Sequence, residues 1–215
     1  MNDYAVSSQH SGFTRQYRFA ANLSSDEIMI TLILEWGSLG PGLTEAHKSA
    51  VQNALKTDCA SAWSNQHSVR VTDPICGEKT LPIKFQVLWK PDDTSDSRHY
   101  RINLTKSGTR SGVNDDYADF DHDDGLANNS WVLKHEFGHL FLLPDEYFYS
   151  GVSSATITYQ LADGTTQVVT LEPSSGIMKA RGDLNFHQRY YYFAALEAQA
   201  LLRTASGRNV VCATV

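Results

Sequence analysis

The strongest chemical signal in the chain is the pattern H-E-F-G-H over residues 135–139. In an α-helix two residues four positions apart lie on one face, so His135 and His139 can direct one ring nitrogen each at a single metal ion. Two histidines and one carboxylate are ligands of a catalytic zinc site, and they leave a coordination position open for water or substrate. The spacing therefore predicts Zn²⁺ as a cofactor held by His135 and His139.

Glu136 is the residue of this pattern that fits a catalytic role. It lies about a quarter turn from His135, where its carboxylate can reach a water on the ion without being a ligand. Zinc lowers the pKa of such a water to about 7 and polarises a carbonyl, and a neighbouring carboxylate can then move the proton to a leaving amine. The pattern predicts Glu136 as the base of a peptide-hydrolysing enzyme. A chance match is expected about 0.01 times in a chain of this composition.

Composition narrows the class of protein. The 215 residues, 41% hydrophobic and 20% charged, suit one domain over residues 1–215. In this prediction residues 1–125 supply a sheet and the first helix, and residues 126–215 supply the active-site helix, a hairpin and the final helix. The net charge of −6 argues against nucleic acid as a partner. No apolar run is long enough for a membrane span, and the first residues do not have the pattern of a signal peptide. Three alternatives follow from this: the protein stays where it is made, another machinery delivers it, or the chain is a piece of a longer protein.

Hydrophobic patterns and turn residues predict the elements that would position this motif. Strands are expected at 27–36, 84–89 and 100–104, a helix capped by Thr44, and a hairpin of 155–161 and 167–171 around Asp163 and Gly164. Residues 1–25 and 107–125 are expected to be irregular, with a turn at 37–42. Pro144 should end the active-site helix, and a last helix should span about 187–203. Strands and helices that mix without regular alternation predict an α+β fold.

Residues 135–147, H-E-F-G-H-L-F-L-L-P-D-E-Y, resemble the active-site helix of the zincin metallopeptidases, and specifically the metzincin form. Residues 174–178, S-S-G-I-M, resemble the Met-turn that lies beneath the metal in that clan, with Met178 as its methionine. The resemblance implies a zincin-like fold, with a twisted mixed sheet packed on the H-E-x-x-H helix. It also implies Asp145, ten residues after His135, as the third metal ligand.

The D-E-Y and G-I-M segments, with Arg189, Tyr190 and Phe193, also resemble metallopeptidase modules attached to the spike proteins of bacterial type VI secretion systems. This second resemblance covers about residues 130–200. It implies a toxin that acts in the periplasm of target bacteria on a protein or peptide substrate. A secretion-spike carrier and an immunity protein would be its partners. In these modules the third ligand is a carboxylate after the G-I-M segment, which corresponds to Asp183.

Two carboxylates therefore compete for the role of third ligand. Metzincins have glycine at the seventh position after the first histidine, where the helix breaks, but here that position is Leu142, which resists a positive φ. Asp183 is for this reason placed slightly ahead of Asp145, and His187 comes third. As a simple structural role, Asp145 could be a turn former at the helix end, and Asp183 a turn or helix-capping residue.

Other readings of the sequence stay open beside the peptidase. A zinc-stabilised binding or adaptor domain with vestigial catalysis is the second functional class, although it would have no use for Glu136. Cys59 and Cys76 could form a disulfide in an oxidising compartment or remain buried thiols. The acidic run at 115–124 resembles the start of a calcium loop only weakly, and a solvated loop is favoured. One of the tyrosines at 190–192 could stabilise an oxyanion, but core packing is the commoner role.

Overall fold

A computed structural model describes residues 2–10, 13–23, 25–106, 108, 110–125, 130–141, 143, 145, 146, 155–160, 166–171, 176–179 and 182–215. These residues form a mixed α+β structure in which helices pack against one mixed sheet. The predicted α+β class and C-terminal helix are confirmed. No helix among the described residues is long and apolar enough to cross a membrane.

Eleven strands in the described part of the chain build the sheet. They are β1 (Asn2–His10), β2 (Phe13–Asn22), β3 (Glu27–Leu39), β4 (Ser68–Asp73), β5 (Gly77–Lys90), β6 (Tyr100–Thr105), β7 (Gly112–Val113), β8 (Tyr117–Asp121), β9 (Ala155–Gln160), β10 (Thr166–Leu171) and β11 (Val211–Thr214). Their main order is β10-β9-β1-β2-β3-β5-β4-β11. A second branch leaves the end of β3 and runs through β6 and β8 to β7.

The centre of the sheet is parallel, and its residues are buried. Strand β3 pairs in parallel with β5 from Ile28, opposite Ile83, to Glu35, opposite Lys90. Ile28, Ile30 and the run 32–34 are almost completely buried. A strand covered on both faces needs such a near-continuous apolar run. The predicted strands at 27–36, 84–89 and 100–104 are confirmed as parts of β3, β5 and β6.

The helical elements frame this sheet. They are α1 (Glu45–Asn53), a π-helical segment (Ala54–Cys59), α2 (Ala60–Trp63), the short α3 (His122–Gly125), α4 (Ser130–His139), a 3₁₀ turn (Gln188–Tyr191) and α5 (Tyr192–Ser206). The predicted start at Thr44 is confirmed, since its N–H donates to His47 Nδ1 at 2.9 Å. Helix α5 ends at Gly207, whose φ of 66° is favourable for glycine.

Packing of α4 on the sheet decides where its histidines point. Phe137 of this helix packs against Phe141, two residues after the helix ends, with ring centroids 5.0 Å apart. Phe141 in turn packs edge-on against Phe85 of β5 with ring centroids 4.6 Å apart. Phe137 follows His135 by two residues, or about 200° around a helix. Burial of the phenylalanines against the sheet therefore turns His135 and His139 to the opposite side.

Three local expectations from the sequence were wrong. Residues 1–25 were expected to be irregular, but they contain the hairpin β1–β2, which pairs with β3 and β9. The segment 107–125 contains β7, β8 and α3 rather than a simple loop. Strand β3 continues through Gly37 to Leu39, because a residue without Cβ lets it approach the side chains of Arg101 and Asn103. Strand pairing over long sequence distances overrides local polarity in these segments.

The remaining local expectations concern the hairpin and the cysteines. Strands β9 and β10 pair antiparallel with Gln160 opposite Thr166, which confirms the hairpin, although Asp163 and Gly164 lie outside the described residues. The suggested disulfide is contradicted, because Cys59 is a buried free thiol and Cys76 an exposed one.

Candidate metal centre

Helix α4 is fixed by side chains that reach it from other elements. Trp63 of α2 donates its indole N–H to the carbonyl of Lys134 at 2.9 Å. The hydroxyl of Tyr100 in β6 donates to the carbonyl of Leu140 at 3.2 Å. Within α4 itself, Trp131 stacks on the ring of His135, with centroids 4.7 Å apart. The contacts from Trp63 and Tyr100 hold the middle of the helix and the residue after its C-terminal end, so its histidines have a defined position.

The helix ends by a tightening of its last turn. The N–H of Leu140 donates to Phe137, and that of Phe141 to Gly138, so the final bonds span three residues instead of four. The N–H of Leu143 also reaches the carbonyl of Gly138 at 3.3 Å. Helix α4 therefore stops at His139, four residues before the end expected from Pro144, which lies outside the described residues together with Leu142. This compact reversal returns the following chain towards the histidines.

Asp145 meets both histidines after this reversal. Its Oδ1 lies 3.0 Å from Nε2 of His135 and 3.3 Å from Nε2 of His139. The two Nε2 atoms are 3.2 Å apart. Three potential ligand atoms thus form a nearly equilateral triangle. The predicted pairing of His135 and His139 on one face is confirmed, and Asp145 is the carboxylate found beside them.

Hydrogen bonds to backbone carbonyls set the tautomer of each ring. His135 Nδ1 lies 2.7 Å from the carbonyl oxygen of Ile177, and His139 Nδ1 lies 2.6 Å from that of Leu143. A carbonyl oxygen only accepts, so each Nδ1 must carry the proton. In a neutral imidazole this leaves the lone pair on Nε2, the atom that faces Asp145. Such outer hydrogen bonds are typical of metal-binding histidines.

The donor set fits a zinc ion. Ligands about 2.0–2.1 Å from a tetrahedral zinc lie about 3.3 Å from one another, which agrees with the three separations of 3.0, 3.2 and 3.3 Å. Asp145 Oδ1 is buried and has no well-directed hydrogen-bond donor among the described residues, despite the two nearby rings. A proton could join two of these three atoms, whereas a divalent cation can satisfy all three.

The charges of the three side chains support one another. Burial would raise the pKa of the Asp145 carboxyl, but the two imidazoles beside it hold that pKa well below its ordinary value. Burial would lower the pKa of His139, but the carboxylates of Asp145 and Glu136 raise it overall. An anionic Asp145 is the form that a cation requires as a ligand. The site is therefore electrostatically suited to positive charge.

Glu136 lies beside this triangle in a buried position. Its side-chain oxygen is within 4.8 Å of the ligand nitrogens of both histidines. The residue is 2% exposed, and its Oε2 has no hydrogen-bond partner among the described residues. Burial raises the pKa of this carboxyl above its ordinary value, although the charges of His139 and His135 oppose the shift. A buried carboxylate with a raised pKa is a good proton acceptor.

The segment containing Met178 packs against α4 at Gly138. A Cβ at Gly138 would lie only 2.6 Å from the sulfur of Met178 and 3.0 Å from the ring of Trp63. The glycine of H-E-F-G-H is therefore required for this close contact. The neighbouring Ile177 supplies the carbonyl that holds His135. The Met-turn role of Met178 stays a prediction, and residues 174 and 175 of that segment lie outside the described part.

Asp183 occupies a turn away from the triangle. Its Oδ1 accepts the N–H of Asn185 at 2.9 Å, and its backbone carbonyl accepts the indole N–H of Trp131. The structure therefore places Asp145, and not the slightly preferred Asp183, beside the two histidines, and Asp183 has the turn role considered for it. The ring of His187 packs instead against Tyr190, with centroids 5.7 Å apart.

A polar group next to Asp145 is not indicated by any pattern in the sequence. The carboxylate of Glu146 accepts hydrogen bonds from Arg189 and from the hydroxyl of Tyr190. The hydroxyl of Tyr191 donates to the carbonyl of Trp63, so both of these buried phenols make hydrogen bonds within the protein. The adjacent D-E and R-Y pairs were visible in the sequence, but nothing local showed that they meet.

Comparison of the chain with protein-family models, with curated proteins and with solved structures finds no match. The candidate site is therefore defined by the geometry of His135, His139, Asp145 and Glu136.

Proposed function

We propose that this chain is a zinc-dependent peptidase with a zincin-like active site. His135, His139 and Asp145 would hold the metal, and Glu136 would act as general base. The observation that supports this best is the convergence of two Nε2 atoms and one carboxylate oxygen within 3.3 Å, while both Nδ1 atoms are bound to carbonyls.

The residues divide the chemistry between them. A bound Zn²⁺ would polarise the scissile carbonyl and make the attacking water more acidic. Glu136 would accept the proton of that water and return it to the leaving amine, a role helped by the raised pKa of its buried carboxyl. His139 and Asp145 are the more accessible ligands, with 13% and 22% of their side chains exposed, against 1% for His135. Substrate would therefore approach from their side.

The edge of the sheet offers a place for the peptide. Strand β7 pairs antiparallel with β8 at the end of the second branch and lies against α4. Arg110, two residues before β7, is close enough for its charge to influence Glu136. An extended peptide could add to this edge through backbone hydrogen bonds and so be led across the metal.

The alternative is a zinc-stabilised binding domain without catalysis. Structural zinc is commonly held by four protein ligands in a closed site. Three residues converge here, and Glu136 is the only further member of the metal-binding cluster found among the described residues. The alternative would require Glu136 to act as a fourth ligand, so its replacement should then remove the metal.

The deciding experiment compares the wild type with Glu136→Gln. Both proteins are loaded with one equivalent of zinc and incubated with an unfolded protein substrate, with and without a chelator. We expect cleavage by the wild type, loss of cleavage with chelator, recovery on zinc addition, and retention of zinc by inactive Glu136→Gln. Zinc binding by the wild type without any cleavage, together with metal loss in Glu136→Gln, would support the binding domain instead.

We also propose that the peptidase acts as an antibacterial effector in the periplasm of target cells. This proposal rests on the resemblance of residues 130–200 to the spike-linked modules. Wild type directed to a bacterial periplasm should inhibit growth, and Glu136→Gln should be harmless at equal expression. Equal growth with both proteins would refute the effector role without affecting the peptidase assignment.

A further inference from the structure

A buried ion pair lies directly behind the proposed third ligand. Arg189 donates from Nε to Glu146 Oε1 at 2.7 Å and from its terminal nitrogen to Oε2 at 2.6 Å. Tyr190 donates its hydroxyl to the same Oε2 at 2.9 Å. The side chain of Glu146 is only 1% exposed. The Glu146 carboxylate is thus satisfied by three donors from the start of the last helical region.

The charges of Arg189 and Glu146 and the protonated hydroxyl of Tyr190 support one another. The guanidinium of Arg189 lies over the ring of Tyr190, 4.7 Å from its centroid, which adds a cation–π contact. Burial and the Glu146 carboxylate raise the pKa of the Tyr190 hydroxyl, so it remains a proton donor. A polar network with every member paired is rigid. Glu146 therefore has little freedom to move.

Asp145 is held between fixed points on either side. The carbonyl of Leu143, two residues before it, binds His139 Nδ1. The N–H of Glu146, one residue after it, donates to the carbonyl of Met178 at 2.9 Å. The preceding chain is thus tied to the metal helix, and the following residue to Arg189, Tyr190 and the Met178 segment. Only a narrow range of positions for the Asp145 carboxylate is compatible with these restraints.

We propose that Glu146 is a positioning residue that sets metal affinity by holding Asp145 against His135 and His139. This inference depends on the proposed zinc site. Asp145 comes from a turn after the helix, so the helix itself does not fix its place. The ion pair with Arg189 supplies that constraint from a segment more than 40 residues later in the chain. Zinc affinity would therefore depend on whether the 3₁₀ turn that carries Arg189 is packed against Glu146.

The positioning role of Glu146 is tested by the zinc affinity of variants, which is measured by competition with a chromogenic chelator. Tyr190→Phe removes one donor to Glu146, and Glu146→Gln removes the charge while preserving shape. Tyr191→Phe is the matched control, because it removes a neighbouring buried hydroxyl that binds Trp63 instead. We expect about a 10–100-fold loss of affinity for Glu146→Gln, a smaller loss for Tyr190→Phe, and none for Tyr191→Phe.

Two further readouts separate positioning from general destabilisation. The melting temperature without metal should fall in both tyrosine variants, but affinity should fall only in Tyr190→Phe. The visible spectrum of the cobalt-substituted protein should change in Glu146→Gln, because a displaced Asp145 alters the coordination, and should stay unchanged in Tyr191→Phe. If Glu146→Gln does not fold, the zinc affinity of Tyr190→Phe, compared with that of Tyr191→Phe, still tests the positioning role.

The outcomes distinguish this inference from the proposed function. Wild-type zinc affinity and an unchanged cobalt spectrum in both Glu146→Gln and Tyr190→Phe would overturn the positioning role and leave the peptidase proposal intact. Absence of zinc binding by the wild type would overturn both. Equal losses of affinity in Tyr190→Phe and Tyr191→Phe would show general destabilisation and also overturn the positioning role.

Discussion

Nε2 of His135 and Oδ1 of Asp145 lie 3.0 Å apart, although one residue is inside a helix and the other beyond its end. The contact depends on the tight last turn of α4 and on the carbonyl of Leu143, which binds His139. Here Gly138 accepts two N–H groups in a compact turn that brings Asp145 back to the histidines.

This contact predicts different effects for the two competing carboxylates. Asp145→Ala should weaken zinc binding by more than about 100-fold, since even the outer partners of metal ligands contribute about 10–100-fold. Asp183→Ala should leave zinc affinity unchanged and lose only a turn hydrogen bond with Asn185. Zinc content after gel filtration and chelator competition measure both. If Asp145→Ala kept a full equivalent of zinc and Asp183→Ala bound none, Asp183 would be the third ligand, as the sequence slightly favoured.

Replacement of Glu136 should separate catalysis from metal binding. Glu136→Gln keeps the shape of the side chain but removes the proton acceptor, so the rate of peptide cleavage should fall about 10²–10⁴-fold. Zinc affinity should be unchanged, because Glu136 is outside the triangle of ligand atoms. The turnover number of a fluorogenic peptide, measured on fully zinc-loaded protein, gives the comparison. A rate within a few-fold of the wild type would exclude Glu136 as the base.

The part of the site that could be predicted from the sequence is the part created by local geometry. Helical periodicity alone places His135 and His139 on one face, and Glu136 beside them. The choice between Asp145 and Asp183 could not be made in this way, because it depends on hydrogen bonds between distant segments. The carbonyl of Ile177 that orients His135 is a backbone group, so no residue type indicates it.

The fold shows the same division between local and long-range information. Strand β3 was recognised because its buried apolar residues are continuous. Strand β2 was missed, although Tyr17 and Phe19 alternate with polar residues and are almost completely buried. Its polar neighbours obscured that alternation, and the pairing with β3 that stabilises it joins separate segments.

Gly138→Ala should destabilise the protein despite the higher helix propensity of alanine. The propensity alone would stabilise the helix by about 1 kcal/mol. The new methyl group, however, would lie 2.6 Å from the sulfur of Met178, and such overpacking commonly costs about 1–3 kcal/mol. Urea unfolding of the metal-free protein measures the difference. We expect a net loss of unfolding free energy and weaker zinc binding, since Ile177 must move with Met178.

Gly112→Ala is the control for this substitution. A Cβ at Gly112 meets no atom within 4 Å, so the change should alter the unfolding free energy by less than about 0.5 kcal/mol. If Gly138→Ala were as stable as Gly112→Ala and bound zinc normally, the close packing of Met178 under α4 would be wrong.

A partly buried histidine outside the metal centre predicts a pH dependence of stability. His99 Nδ1 accepts the N–H of Ile33 at 3.1 Å, and the N–H of His99 donates back to the carbonyl of Ile33 at 2.7 Å. Burial lowers the pKa of His99 from 6.5 to about 4, with a further decrease from Arg18 that Asp96 partly offsets. The folded state therefore favours the neutral ring. Protonation of Nδ1 would leave the N–H of Ile33 without its acceptor.

The sign of the effect follows from these two pKa values. The unfolded chain takes up a proton on His99 below about pH 6.5, whereas the folded protein resists protonation until about pH 4. The contribution to stability is complete above pH 6.5 and is lost between 6.5 and 4. This contribution to the free energy of unfolding is at most about 3 kcal/mol, the value that corresponds to the difference between the two pKa values. Solvent screens the charge of a partly buried ring and reduces it further. His99→Asn keeps an acceptor for Ile33 but does not titrate. Between pH 6.5 and 4, the free energy of unfolding in urea should fall more steeply for the metal-free wild type than for metal-free His99→Asn. Parallel pH dependence of the two proteins would contradict a ring that stays neutral in the folded state.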